Sequence, residues 1–378
     1  MKEHSPDVLA LVRPQVSNLP SYDAGAQVEQ IKTQYGLPSV IKLSNNENPL
    51  GISPKISEFL SSKVELLGHY PDPVSRNLQH KLAEHLNVDY EKIIIGNGSE
   101  NILELLCQAF INNDDRVLTQ SPCFSLHEIF PLMMGAKVKK ISHDKSFSIN
   151  IDSWLEALKQ PTKMLFISNP SNPVGNIFNH QQLLTVINAT EQDALIVIDE
   201  AYYEYAINDD KYPDALELLR AQKRPWIVLR TFSKAYALAG LRVGYAIASD
   251  RAIIDALHRV RTPYNVNFLA QEAAILALDD REYLTKSTEH IVLEKAKMSQ
   301  ILKDAGFVIP DSYANFIFID TTKNALNVAE KLMEQGIIVK AWCESGYETF
   351  IRVSIGLAEE NEKFVRTFIN LMSTKAII

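Results

Sequence analysis

The sequence predicts an α/β protein built on a doubly wound, mainly parallel sheet of about seven strands flanked by helices, with a smaller α+β unit behind it. Three observations predict this. Short β-rich apolar runs alternate with amphipathic stretches from position 92 to position 248. Beyond Arg251 the pattern turns helical and then alternates again on a smaller scale. The chain, at 378 residues, is also longer than one hydrophobic core usually supports.

In chain order, the expected strands of the large sheet are 92–95, 116–119, 137–141, 164–168, 195–198, 226–230 and 243–248. Their density of Ile, Val and Leu suits strands covered on both faces. A long polar-faced helical stretch at 280–305 could bridge to the second unit. There, strands are expected at 315–320, 337–341 and 350–354, with a helix at 325–335 and a helical tail. The expected division is 1–45 as an arm and part of the small domain, 46–280 as the large domain, 281–305 as the link and 306–378 as the small domain.

Composition excludes several classes. Hydrophobic residues make up 46% and charged residues 22%, the balance of a globular enzyme rather than a disordered chain. The net charge of −8 argues against non-specific capture of nucleic acid, so an anionic ligand must be held by local groups. Cys107, Cys123 and Cys343 are odd in number, far apart and in no CxxC pair. They suggest neither a disulfide framework nor a zinc site, and fit a reducing, cytoplasmic setting. No apolar run approaches a bilayer span, and no metal-ligating pattern stands out.

Four segments could carry chemistry, all at expected strand ends. Gly96-Asn97-Gly98-Ser99 leads straight into an amphipathic run, a place where free N–H groups and a helix dipole suit a phosphate. Asp199 closes the fully apolar strand 195–198, on the edge where ligands of open α/β sheets gather. Lys234 follows strand 226–230 among hydroxyls and aromatics, with Thr231, Ser233 and Arg242 near it in sequence. Such a lysine can be desolvated into a nucleophilic amine. Asn172, in a rigid Asn-Pro loop after strand 164–168, could present an amide, and Phe124 after strand 116–119 could cover a flat ring. Taken singly, each has a plainer reading: a Gly turn, a helix N-cap, a solvated lysine, a core phenylalanine. Together they supply phosphate donors, a ring face, an anion for a ring nitrogen and an amine, the set that pyridoxal phosphate requires.

The segment Thr-Phe-Ser-Lys-Ala-Tyr-Ala-Leu-Ala-Gly-Leu-Arg-Val-Gly-Tyr (231–245) resembles the cofactor-lysine segment of fold-type I, class II aminotransferases. Lys42-Leu43-Ser44-Asn45-Asn46-Glu47-Asn48-Pro49-Leu50-Gly51, His69-Tyr70-Pro71-Asp72, Gly96-Asn97-Gly98-Ser99-Glu100 and Arg261-Thr262-Pro263-Tyr264-Asn265-Val266-Asn267 resemble the histidinol-phosphate aminotransferase family more narrowly. The resemblance implies pyridoxal 5'-phosphate carried on Lys234, with Asp199 against its ring nitrogen and Tyr202 and Asn172 on its phenolic oxygen. It implies that Gly98, Ser99, Glu100, Thr231, Ser233 and Arg242 hold the cofactor phosphate, and that Tyr70 reaches in from a neighbouring subunit of a homodimer. Phe124 stands where the family stacks a tyrosine.

On the substrate side the resemblance implies Arg352, Lys340, Tyr22 and Asn48. Lys340 stands where many relatives carry a second arginine, so a point charge replaces a planar fork. The implied reaction is a ping-pong transfer of the amino group between L-glutamate/2-oxoglutarate and histidinol phosphate/imidazole acetol phosphate. Alternatives are a broad aromatic amino-acid aminotransferase and a phospho-amino-acid decarboxylase on the same fold. No helix-turn-helix arm precedes the domain, which disfavours a DNA-reading regulator.

Overall fold

The computed structural model describes residues 8–373. The first seven residues of the expected N-terminal arm and the last five of the expected small domain lie outside that range. The strands among the described residues are, in chain order, β1 (Ile41–Lys42), β2 (Ile93–Gly96), β3 (Arg116–Ser121), β4 (Lys137–Ser142), β5 (Met164–Ser168), β6 (Leu195–Asp199), β7 (Trp226–Thr231), β8 (Gly244–Ala248), β9 (Phe316–Asp320), β10 (Ile337–Ile338), β11 (Lys340–Ala341) and β12 (Phe350–Ser354).

All seven strands expected in the large sheet are present, in the order β2-β8-β7-β6-β5-β3-β4. The inner strands are parallel, and β8 runs antiparallel to both β2 and β7. Their apolar runs are continuous because both faces are covered. Ile196, Ile198 and Val228 enter a core on one face, while Val197, Ile227 and Leu229 enter a second core on the other. At the edge, β4 alternates exposed lysines with half-buried positions, which blunts unwanted pairing.

A third core forms around Phe316, Ile317, Ile319, Ile351, Val353 and Phe364, and takes in Leu43, Tyr202 and Ala235 from elsewhere in the chain. The helix Arg281–Asp304, 24 residues long, joins the two regions, and Leu284 packs against both the first core and this one. The expected strand at 337–341 is divided. Ile337 and Ile338 pair parallel with β1, whereas Lys340 and Ala341 pair antiparallel with β12. The chain changes sheets at Val339, a switch set by partners far away in sequence. Among the described residues, no helix is long and apolar enough to cross a membrane.

Candidate active site

The loops beyond β2, β3, β5, β6 and β7 open onto one cavity of about 620 Å³, closed from the opposite side by residues 20–24, 44–46, 340–345 and Arg352. Parallel strands send their C-terminal ends to the same edge, so residues scattered along the sequence meet there. Gly98, Ser99, Glu100, Phe124, Asn172, Asp199, Tyr202, Thr231, Ser233, Lys234, Arg242, Tyr22, Lys340 and Arg352 all line it.

One end of the cavity is built for an anion. The helix Gly98–Phe110 begins there, and among the described residues no side-chain hydrogen bond from its N-cap Asn97 occupies its first turn, so its leading N–H groups remain available. Gly98 has φ +77°, and a Cβ at that position would stand 2.7 Å from Arg242 Nη2. Opposite, a Cβ on Gly244 would come within 2.4 Å of Ser99 N. Both glycines let backbone and guanidinium close around a small group. The hydroxyls of Thr231 and Ser233 hydrogen-bond each other at 3.0 Å beside them.

Asp199 is buried at the tip of β6. Its Oδ1 accepts from Ala201 N at 3.1 Å, and its Oδ2 lies 3.0 Å from His127 Nε2. Because a carboxylate only accepts, the histidine carries its proton on Nε2. The ring stacks parallel on Phe166 at 5.3 Å, and Nδ1 has no hydrogen-bond partner among the described residues. His127 lies on the helix Leu126–Met133, three residues past Phe124, whose ring meets it edge to face at 5.6 Å. No sequence motif pointed to His127.

Lys234 follows β7 with its ammonium against Asn45 O at 3.1 Å. Burial, and next the nearby Arg352 charge, pull the amine down to about 8. Tyr202 OH accepts from Asn46 Nδ2 at 2.8 Å, and burial pushes its phenol up to about 12. Asn46 was also missed by sequence reasoning. It joins the two walls: its N–H donates to Ser354 Oγ at 2.8 Å and its carbonyl accepts from Asn315 Nδ2 at 3.0 Å.

The buried Arg352 donates from Nη1 to Asn172 Oδ1 and from Nη2 to Ser44 O, both at 2.6 Å, while its buried Nε has no partner among the described residues. These partners are neutral oxygens, so among the described residues no carboxylate balances the charge of this guanidinium, which belongs to a residue lining the cavity. Lys340 differs. Its ammonium donates to Asp23 Oδ2 at 2.5 Å, and that bond is the main cause holding the Asp23 carboxyl below its usual range.

Two expected site residues lie off the cavity wall. Asn48 turns away and donates through Nδ2 to Ala235 O at 3.0 Å and Ser287 Oγ at 2.7 Å, so it fastens the Lys234 loop to the linking helix. The expected role of Asn48 toward substrate is therefore one that its amide nitrogen, spent within the chain, does not display here. Tyr70 is 82% exposed and stacks on Tyr264 at 4.6 Å, outside the cavity of its own chain.

The donor set fits pyridoxal phosphate: an uncapped helix start for a phosphate, Phe124 for a ring face, buried Asp199 for a ring nitrogen and Lys234 for an aldehyde. The sequence is 42% identical to histidinol-phosphate aminotransferase 3 of Rhizobium meliloti over 94% of this chain and 95% of that protein. It is 40% identical to histidinol-phosphate aminotransferase 1 of Mesorhizobium japonicum over 96% and 98% of the two chains. The fold is similar to that of histidinol-phosphate aminotransferase from Sinorhizobium meliloti, a crystal structure in complex with pyridoxal-5'-phosphate. The TM-score is 0.86 at 24% identity, covering 96% of this chain and 97% of that one. The sequence model described as aminotransferase class I and II matches residues 38–368. The chain belongs to the class I and II aminotransferase family.

Proposed function

We propose that the protein is a pyridoxal-phosphate-dependent histidinol-phosphate aminotransferase, exchanging the amino group of L-glutamate with imidazole acetol phosphate. The observation that carries this reading is the uncompensated guanidinium of Arg352 in the same cavity as the Lys234 amine. Both substrates bring an anionic group to a planar fork: a carboxylate in glutamate, a phosphate in the acceptor. The 40–42% identity to proteins of that name supports the acceptor.

Pyridoxal phosphate, when bound, supplies an electrophilic aldehyde and a ring that accepts the electrons left at the substrate's Cα. The helix start at Gly98 and Ser99, with Thr231, Ser233 and Arg242, would hold its phosphate, and Phe124 would offer a face to its ring; all six residues line the cavity. Asp199, fixed by His127 and Ala201 N, keeps a proton on the ring nitrogen by charge. Tyr202, with the Asn172 amide, orients the ring's phenolic oxygen. Lys234 takes and returns the proton at Cα through Nζ, a task suited to an amine lowered toward neutrality. Residues 46–280 would then form the cofactor-binding domain and 306–378 most of a smaller one, joined through 281–305.

The active form would be a cytoplasmic homodimer, in which Tyr70, exposed on its own chain, enters the neighbouring site. A second reading, an aromatic amino-acid aminotransferase, is favoured by the lining of Tyr22, Phe124 and Trp342 and by Asp23's claim on Lys340. The test is acceptor competition with glutamate as donor. Imidazole acetol phosphate should exceed phenylpyruvate in kcat/KM, and Lys234→Ala should abolish both activities. Preference for phenylpyruvate would select the second reading, and activity in Lys234→Ala would overturn both.

A further inference from the structure

Away from the reacting groups, one carboxylate gathers donors from both walls of the cleft. Glu344 follows β11. Its Oε1 accepts from Ser121 Oγ at 2.9 Å and pairs with Lys140 Nζ at 2.9 Å. Its Oε2 accepts from Cys123 N at 3.1 Å and from Trp342 Nε1 at 3.4 Å. Ser121 and Cys123 belong to the segment that ends β3 and leads into Phe124, while Lys140 lies on β4. Tyr347 OH adds a bond across the same gap, to Ser121 O at 3.2 Å.

Trp342, bonded to this carboxylate, also faces the guanidinium of Arg352, whose central carbon lies 5.9 Å from the ring centroid. A solvated ion pair would be worth little. Here the Glu344 side chain is only 14% exposed, and one backbone N–H and one indole N–H depend on it. Removing the charge would leave those donors and the Lys140 ammonium poorly satisfied, so the loop should move.

We propose that Glu344 is a positioning residue for substrate binding: it clamps the Trp342 loop to the Phe124 segment, fixing the aromatic wall beside the Arg352 anion site. The inference rests on the aminotransferase reading of the cavity. Glu344 touches neither substrate nor cofactor in this role; it acts through Trp342.

The test compares the cofactor-loaded wild type with Glu344→Gln and Trp342→Phe. Glu344→Gln should raise KM for glutamate and for the keto acceptor about tenfold while kcat stays within about twofold. Trp342→Phe, which keeps a ring but loses the N–H, should shift KM the same way by a smaller factor. Without substrate, Glu344→Gln should also move tryptophan emission to the red, because Trp154 and Trp226 are buried in cores the substitution does not touch. KM values unchanged in both variants would overturn the proposal even if thermal stability fell, since a merely structural carboxylate would act on stability alone. An unshifted emission in Glu344→Gln would overturn it too. A wild type that exchanges no amino group at all would instead overturn the reading of the cavity, and the emission shift would still decide whether Glu344 holds the loop.

Discussion

At Asp199 the carboxylate is held from two directions, by Ala201 N and by His127, and a hydrogen bond to an ionised group is worth about 1.5–3 kcal/mol. His127→Phe keeps the stack on Phe166 and removes the donor. Turnover should fall about tenfold or more, with a changed absorption band of the bound cofactor, as steady-state kinetics and spectra would show. Lys234 yields a second prediction. Its folded-state value of about 8 lies below the unfolded 10.5, so the folded chain binds fewer protons between those pH values. Stability of the unloaded protein should therefore rise with pH across that window, the full penalty applying below it. Lys234→Met should raise Tm at neutral pH and flatten this rise; calorimetry with pH as the variable checks both. Asp199 and Lys234 could be placed on the cavity from sequence because each lies at or a few residues past the end of an apolar strand. His127 was not, since its link to Asp199 spans 72 residues and no motif records it.

At the scale of elements, the approach of β8 to the start of the helix Gly98–Phe110 shapes the phosphate end of the cavity. A methyl group on Gly244 would meet Ser99 N, Gly98 C and Arg230 O, all backbone atoms that cannot rotate aside. Gly244→Ala should therefore weaken pyridoxal phosphate binding at least tenfold in a spectral titration, whereas Gly240→Ala, with open space around it, should leave the affinity unchanged. The same scale shows what could and could not be read from sequence. The seven strands of the large sheet announced themselves because inner strands need apolar residues on both faces. The division of 337–341 between two sheets did not, because alternation along a strand carries no information about its partner. Nor does the sequence record that Asn48, in a site-forming segment, donates its amide to Ala235 and Ser287.

Across the whole molecule, the site is assembled at the edges of two sheets, and in the proposed dimer Tyr70 would complete the site of a second copy. Tyr70 and Tyr264 form an exposed stacked pair, and Leu66 and Leu67 are exposed nearby in sequence. In the proposed shared-site dimer, each cavity combines Lys234 of one chain with Tyr70 of the other. Lys234→Ala and Tyr70→Ala should each be impaired as pure preparations, the first completely. Mixed under conditions that let subunits exchange, they form heterodimers with one fully intact site each, because both defects fall in the other site. Random exchange of equal amounts makes half the dimers mixed, so activity should recover to about a quarter of wild type. If each site used its own chain's Tyr70, every cavity in the mixture would keep one defect and no recovery would follow. The complementation measurement thus separates a dimer that shares residues from one that merely associates.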